Sequence, residues 1–214
     1  MEYKILITEI ASAPTYILST STDKRKVLIL HGYGSNKEEM LGCALSVVKA
    51  GFKVYVCDLP GHGEHKDKLN WKSIKEFIQN LKNLEFEIVI GHSLGARLAC
   101  LFFCPKLILI SPPFEAKFKG SKKELVKILR ARRVKEEKYY QGLIEVLNSL
   151  PEFSFDKAQK VLLLYSNNDL DTVKTAVQKA KELGAQIEII PGVNHNDIIS
   201  HHLTFKKIFN WIKD

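Results

Sequence analysis

Short runs of β-branched residues and leucine recur along this chain, and stretches with apolar residues at helical spacing lie between them. Runs such as Val27-Leu28-Ile29-Leu30 and Leu107-Ile108-Leu109-Ile110 are apolar at every position rather than at alternate ones. That is the pattern of a strand buried on both faces. We place strands at Lys4–Glu9, Thr15–Thr20, Lys26–Leu30, Lys53–Cys57, Glu87–Ile90, Leu107–Ile110, Val161–Tyr165 and Gln186–Ile190. Helical periodicity fits Lys37–Ala50, Trp71–Leu81, Leu94–Phe103, Asp171–Leu183 and a closing stretch from Ile198 to Ile212. The alternation predicts an α/β fold, an eight-stranded and mostly parallel sheet with helices on both faces, opened by two antiparallel strands.

The rhythm breaks once. Pro112-Pro113 introduces Phe114–Lys160, which carries no strand pattern and reads as amphipathic helices. Ser121 and Glu124 form a capping box for a helix over Ser121–Lys138, with Leu125, Ile128, Leu129 and Val134 as its apolar stripe. Tyr140, Leu143, Ile144 and Leu147 continue the pattern until Leu150-Pro151 ends it. The chain therefore divides into a core of residues 1–113 and 161–214 and a short helical cap insertion at 114–160.

A chain of 214 residues buries on the order of 70% of its unfolded surface, enough for a core without disulfide staples. Cys43, Cys57, Cys100 and Cys104 are accordingly read as buried free thiols, with Cys100 and Cys104 on one helix face. The net charge is +8, and the insertion carries 12 Lys and Arg against 7 Asp and Glu. A charge run of this kind is in most cases a solvated helix face, so no nucleic-acid partner is expected. The first residues lack a basic start followed by a long apolar run, and no segment approaches the roughly 20 apolar residues of a membrane span. The expectation is a cytoplasmic protein without an integral membrane segment. Oligomeric state is not legible.

The chemistry enters at Gly91-His92-Ser93-Leu94-Gly95, a match to G-x-S-x-G. Three fixed residues are a weak signal alone, but a strand pattern precedes them at once and a helical run follows at once. That is the context of a nucleophile elbow, in which the turn lifts a serine hydroxyl above the sheet and small neighbours relieve crowding.

With these residues in view, the sequence resembles the α/β-hydrolase family over nearly its whole length. His31-Gly32-Tyr33-Gly34 stands where the family has its His-Gly oxyanion loop, and Asp58-Leu59-Pro60-Gly61-His62-Gly63 is similar to its D-x-P-G-H-G segment. Glu64 departs from that pattern, since serine or arginine is frequent there. The resemblance implies Ser93 as nucleophile, with the backbone amides of Tyr33 and Leu94 receiving the oxyanion. It also implies that His31, His62 and His92 shape loops through hydrogen bonds.

The acid and base should follow in that order. Ser166-Asn167-Asn168-Asp169 occupies the place of the family's G-x-x-D turn, with Ser166 for the usual glycine, and points to Asp169 as acid. Asp171 competes, but it immediately precedes a helical run and suits an N-cap. Pro191-Gly192-Val193-Asn194-His195 looks like the family's P-G-x-x-H ending and makes His195 the base. His201 and His202 fall within the closing helix, and His65 is expected to be exposed. His62, His65 and Asp58 could be imagined around a metal, but no zinc-ligand spacing appears, so neither metal nor cofactor is expected.

These assignments give a serine hydrolase acting through an acyl-enzyme on a small-molecule carboxylic ester of small or medium acyl chain. Phe114, Phe118, Tyr139 and Tyr140 are candidates for the acyl side of the site, although a helical core stripe explains them equally well. A serine nucleophile argues against the dehalogenase and epoxide hydrolase relatives, which carry aspartate. A thioesterase or a peptidase/amidase on the same triad is the alternative, and a non-catalytic binding protein is the reading from another class.

Overall fold

The computed structural model describes residues 2–20, 25–114, 133–137 and 140–214. Eight strands form one sheet: β1 (Lys4–Ile10), β2 (Ala13–Ser19), β3 (Lys26–Leu30), β4 (Lys53–Cys57), β5 (Ile88–His92), β6 (Lys106–Ile110), β7 (Lys160–Ser166) and β8 (Gln186–Ile190). Their order is β1-β2-β4-β3-β5-β6-β7-β8. The hairpin β1–β2 and the β2–β4 pair are antiparallel, and every later pair is parallel. The chain is thus the eight-stranded, mostly parallel α/β architecture that the apolar runs predict.

Those runs are continuous because each central strand feeds two cores. Leu28, Leu30, Val89, Leu107, Leu109 and Leu163 face one side. Val27, Ile29, Ile90, Ile108, Ile110 and Leu164 face the other. On the first side pack α2 (Trp71–Lys82), α3 (Leu94–Ala99), α4 (Gln141–Ser149) and α5 (Asp171–Glu182). The second side is covered by α1 (Leu41–Val48) and α6 (His202–Lys213). Full burial of each such side chain contributes roughly 1.5–3 kcal/mol, and every apolar residue of β3, β5 and β6 is buried. No helix among the described residues is long and apolar enough to cross a membrane.

Besides the closing stretch, where a 3-10 turn at Asp197–Ser200 and an extended His201 precede α6 so that His201 lies outside the helix, two elements differ from expectation. The helix after Ser93 stops at Ala99 instead of reaching Phe103. Leu101 and Phe102 donate to the carbonyls of Leu98 and Ala99 in a tightened turn, and Phe103, 85% exposed, has no surface to pack on. Pro105 ahead disfavours helical backbone at Cys104. Cys104 is therefore a buried residue of the connecting loop, and the shared helix face with Cys100 does not exist. The other difference is at α5, where Leu170 occupies the cap position without a side-chain hydrogen bond and Asp171 is already the first helical residue.

Part of the 114–160 segment is described, and it is anchored from below. The Arg97 side chain on α3 is only 2% exposed. Its guanidinium donates to the carbonyls of Pro113 at 3.0 Å, Phe114 at 2.6 Å and Pro151 at 2.5 Å, and it lies 5.6 Å from the Phe153 ring. One buried cation thus holds the start of the segment and its Pro151 against the helix that begins at Ser93. The predicted helix over Ser121–Lys138, Phe118 and Tyr139 lie outside the described residues or extend beyond them. Replacing Arg97 by Met strands three carbonyls and is expected to lower unfolding free energy by roughly 2–4 kcal/mol. Denaturant titration measures the loss, and limited proteolysis should show faster cleavage within residues 114–151.

Candidate active site

The site is built at the carboxyl ends of the parallel strands, where open α/β sheets present their ligand crevice. β5 delivers Ser93 into a backbone conformation of φ 51°, ψ −115°, which costs on the order of 1–3 kcal/mol for a residue with a side chain. Close packing holds it there. A Cβ on Gly91 would come within 2.3 Å of the Gly95 carbonyl oxygen, and one on Gly95 within 2.3 Å of the Leu30 carbonyl oxygen. Only glycine lets helix α3 press against the ends of β3 and β5 in this way. The Ser93 amide donates to the Ile110 carbonyl at 2.9 Å, which ties the turn to β6.

Three side chains from three separate loops meet above this turn. The Ser93 hydroxyl donates to Nε2 of His195 at 2.9 Å, and Nδ1–H of His195 donates to Asp169 Oδ1 at 2.7 Å. The carboxylate is buried, and it has three further donors. The Leu170 amide lies 2.9 Å from Oδ1, and the Ser111 hydroxyl and Ser166 amide lie 2.5 and 3.4 Å from Oδ2. Burial alone would raise the Asp169 pKa, but hydrogen bonds from His195, Ser111 and Leu170 hold it below the ordinary aspartate value. Asp171, by contrast, points outward with a 98% exposed side chain that pairs with Lys174 at 3.0 Å.

Ser166 takes the place of glycine without loss. Its hydroxyl donates to the Val193 carbonyl at 2.5 Å, joining the turn that carries Asp169 to the loop that carries His195. That loop is also held from the elbow, because Nε2–H of His92 donates to the His195 carbonyl at 2.9 Å. Ser111, which follows β6 with φ 49°, belongs to no motif that marks it in the sequence. A serine at a strand end before Pro112-Pro113 was its one local signal.

The loop after β3 passes beside the nucleophile, since a Cβ on Gly32 would lie 3.2 Å from Ser93 Cβ. Tyr33 follows directly, and Leu94 as the first residue of α3 has no intrahelical acceptor for its amide. The loop is stitched to the segment after β4. Leu59 donates its amide to Nε2 of His31 at 3.0 Å, and His31 Nδ1–H donates to the Gly32 carbonyl at 2.7 Å. Asp58 accepts from the Lys37 amide at 2.9 Å and from its ammonium at 2.8 Å. The same fully buried ammonium reaches Glu64 at 2.6 Å and Glu38 at 3.0 Å. Glu64, the departure from the D-x-P-G-H-G pattern's usual sequel, is thus a solvent-facing carboxylate that, with Glu38, caps the buried Lys37–Asp58 pair.

Of the four aromatic candidates, Phe114 is half-buried and Tyr140 is fully buried beside Tyr33, at 6.4 Å between ring centres. Phe118 and Tyr139 lie outside the described residues. His65, expected on the surface, is only 2% exposed. It packs edge-on to Phe77 at 6.3 Å beneath Lys135, whose ammonium donates to the His65 carbonyl at 3.0 Å. Among the described residues no cluster of three or more His, Cys, Asp or Glu side chains is arranged to hold a metal ion.

A sequence model described as the alpha/beta hydrolase family matches residues 27–154, more than half of the chain. The protein belongs to the alpha/beta hydrolase family. No curated protein matches this hydrolase in sequence, but solved structures resemble it along their whole length. A thioesterase domain from the curacin biosynthetic pathway superposes with a TM-score of 0.70 at 18% identity, covering 100% of both chains. A thermophilic esterase from Thermogutta terrifontis gives 0.68 at 14% identity, with 100% of this chain and 98% of that one covered. A predicted CIB-like hydrolase from Thermoplasma acidophilum gives 0.66 at 16% identity, with 100% and 99% covered. At such identities the likeness is one of fold. The hydrogen-bonded serine, imidazole and carboxylate supply what fold alone does not, the arrangement of a serine hydrolase.

The hydrolase carries a pH liability in its loop histidines. Burial pushes His31 down to about 4, and His62 and His92 down to about 3. Their folded values lie below the unfolded value of about 6.5, so on acidification the unfolded chain gains protons that the folded protein refuses. Stability from this source is full above about pH 6.5 and is lost as pH falls toward 4, with a slope approaching roughly 4 kcal/mol per pH unit for three protons. Urea unfolding at pH 7, 6, 5 and 4.5 measures that slope.

Proposed function

We propose that the protein hydrolyses a carboxylic ester of small or medium acyl chain, with Ser93 as nucleophile, His195 as general base and Asp169 as its orienting acid. The observation that carries this reading is the unbroken hydrogen-bond chain from the Ser93 hydroxyl through His195 to a buried Asp169. As Oγ of Ser93 attacks the ester carbonyl, Nε2 of His195 takes its proton, and Asp169 stabilises the imidazolium through Nδ1–H. The amides of Tyr33 and Leu94 receive the oxyanion. His195 then returns the proton to the departing alcohol, and a water activated by the same imidazole releases the acyl group.

In this reading the 114–160 insertion serves as the cap, and Phe114 is a candidate for the acyl side of the site. Ester cleavage is favoured over amide cleavage because it demands less protonation of the leaving group. The similarity in fold to a thioesterase domain keeps the thioester as the second substrate class to test.

A fluorophosphonate probe is expected to label the wild type and to leave Ser93→Ala unlabelled; an unlabelled wild type overturns the reading. Asp169→Asn should reduce kcat on nitrophenyl esters by about three to four orders of magnitude, because the imidazole loses its tautomer, while Asp171→Asn stays at wild-type rates. Rates on nitrophenyl esters and acyl-CoA of matched chain length separate the two substrate classes.

A further inference from the structure

Residues 133–137, within the insertion, form a strap across the loops that flank the site. The Lys135 amide donates to the Gly61 carbonyl at 2.7 Å, and the Leu69 amide donates to the Lys135 carbonyl at 3.0 Å. Arg133 pairs with Glu39 at 3.0 Å, just beyond the loop that carries Tyr33. Between these anchors Glu136 turns inward. One of its carboxylate oxygens accepts the Tyr33 phenol hydroxyl. The other accepts the amides of Gly142 at 2.8 Å and Leu143 at 3.3 Å, at the start of α4. The Tyr33 ring is enclosed between His62, edge-on at 5.5 Å, and the buried Tyr140. Gly142 permits the approach, because a Cβ there would meet the Leu69 carbonyl oxygen at 2.1 Å.

The geometry points to Glu136 as a positioning residue that fixes the oxyanion-binding amide of Tyr33 from within the insertion. This inference rests on the serine hydrolase reading and deepens it. The flanking residues His31 and Lys37 are held by Leu59 and Asp58 on the core side, whereas Glu136 holds Tyr33 itself from the insertion side. A phenol tethered at its far end, with its ring packed on two faces, restricts rotation about the Tyr33 backbone and so the direction of its N–H. Oxyanion donors contribute in the transition state far more than in the ground state, so misdirecting one is felt in kcat rather than in KM.

The test compares Glu136→Ala, Glu136→Gln, Tyr33→Phe and the double variant Glu136→Ala/Tyr33→Phe. Tyr33→Phe deletes one hydroxyl and carries the test should Glu136→Ala fail to fold. Glu136→Ala and Tyr33→Phe are expected to lower kcat between about tenfold and a hundredfold with KM within about twofold. Glu136→Gln, whose amide oxygen still accepts the phenol, should recover most of the rate, and the double variant should be no worse than the single ones. Affinity for a trifluoromethyl ketone, which forms a tetrahedral oxyanion on Ser93, should fall by the same factor as kcat/KM. A labelled, active wild type with Tyr33→Phe at full kcat and full ketone affinity overturns this inference alone. So does a loss in Glu136→Ala that Tyr33→Phe does not share, because the carboxylate then acts only on α4. A wild type that fluorophosphonate does not label sinks the hydrolase reading and this inference together.

Discussion

The close approach of α3 to the ends of β3 and β5 is the constraint on which the rest of the site depends. The Ser93 backbone is strained, and a strained turn persists only where its surroundings leave no alternative. Here the surroundings are backbone atoms: the Leu30 and His31 carbonyls against Gly95, and the Gly95 carbonyl against Gly91. Because these contacts involve the sheet itself, the elbow inherits the stiffness of the double-sided core. The hydroxyl is thus aimed by packing. The side chains that receive it come from loops at the ends of β7 and β8, and they need to be precise only relative to one another.

That relative precision is achieved by polar groups bonded across loops. Ser166 joins the Asp169 turn to the His195 loop, His92 joins the elbow to the His195 backbone, and Asp58 joins the two loops after β3 and β4. Buried ionic groups are satisfied by different means. Asp169 has imidazole, hydroxyl and amide donors, Lys37 has carboxylates, and Arg97 has backbone carbonyls. A buried charge is tolerable in each case because its hydrogen-bonding capacity is met, and removing any partner leaves a desolvated group behind.

How much of this was legible follows from the distance along the chain over which each interaction acts. The strands and the main helices were readable because burial on one or two faces writes a local pattern, and Ser93 was readable because strand, turn and helix are contiguous. His195 and Asp169 were marked out by order and by loop motifs. Ser111 was not, because the group it serves lies 58 residues away. The same holds for Glu136 and Tyr33, 103 residues apart. Glu64 was flagged as unusual, but its meaning required Lys37, 27 residues earlier. The errors have local causes too. Asp171 suits an N-cap by residue type, yet the helix begins one residue earlier than that role needs. His65 looked exposed because nothing nearby announced that a distant strap covers it.

Arg97 gives the insertion an architectural meaning. Its guanidinium pins the chain at Pro113, Phe114 and Pro151 to the helix that starts at the nucleophile, so the stretch from Phe114 to Pro151 starts and ends at one shared clasp. A closed excursion of this kind can change in length at an entropic cost that grows only with the logarithm of the residues added. The clasp thus fixes where the excursion begins and ends on the core, whatever the length of chain between Phe114 and Pro151.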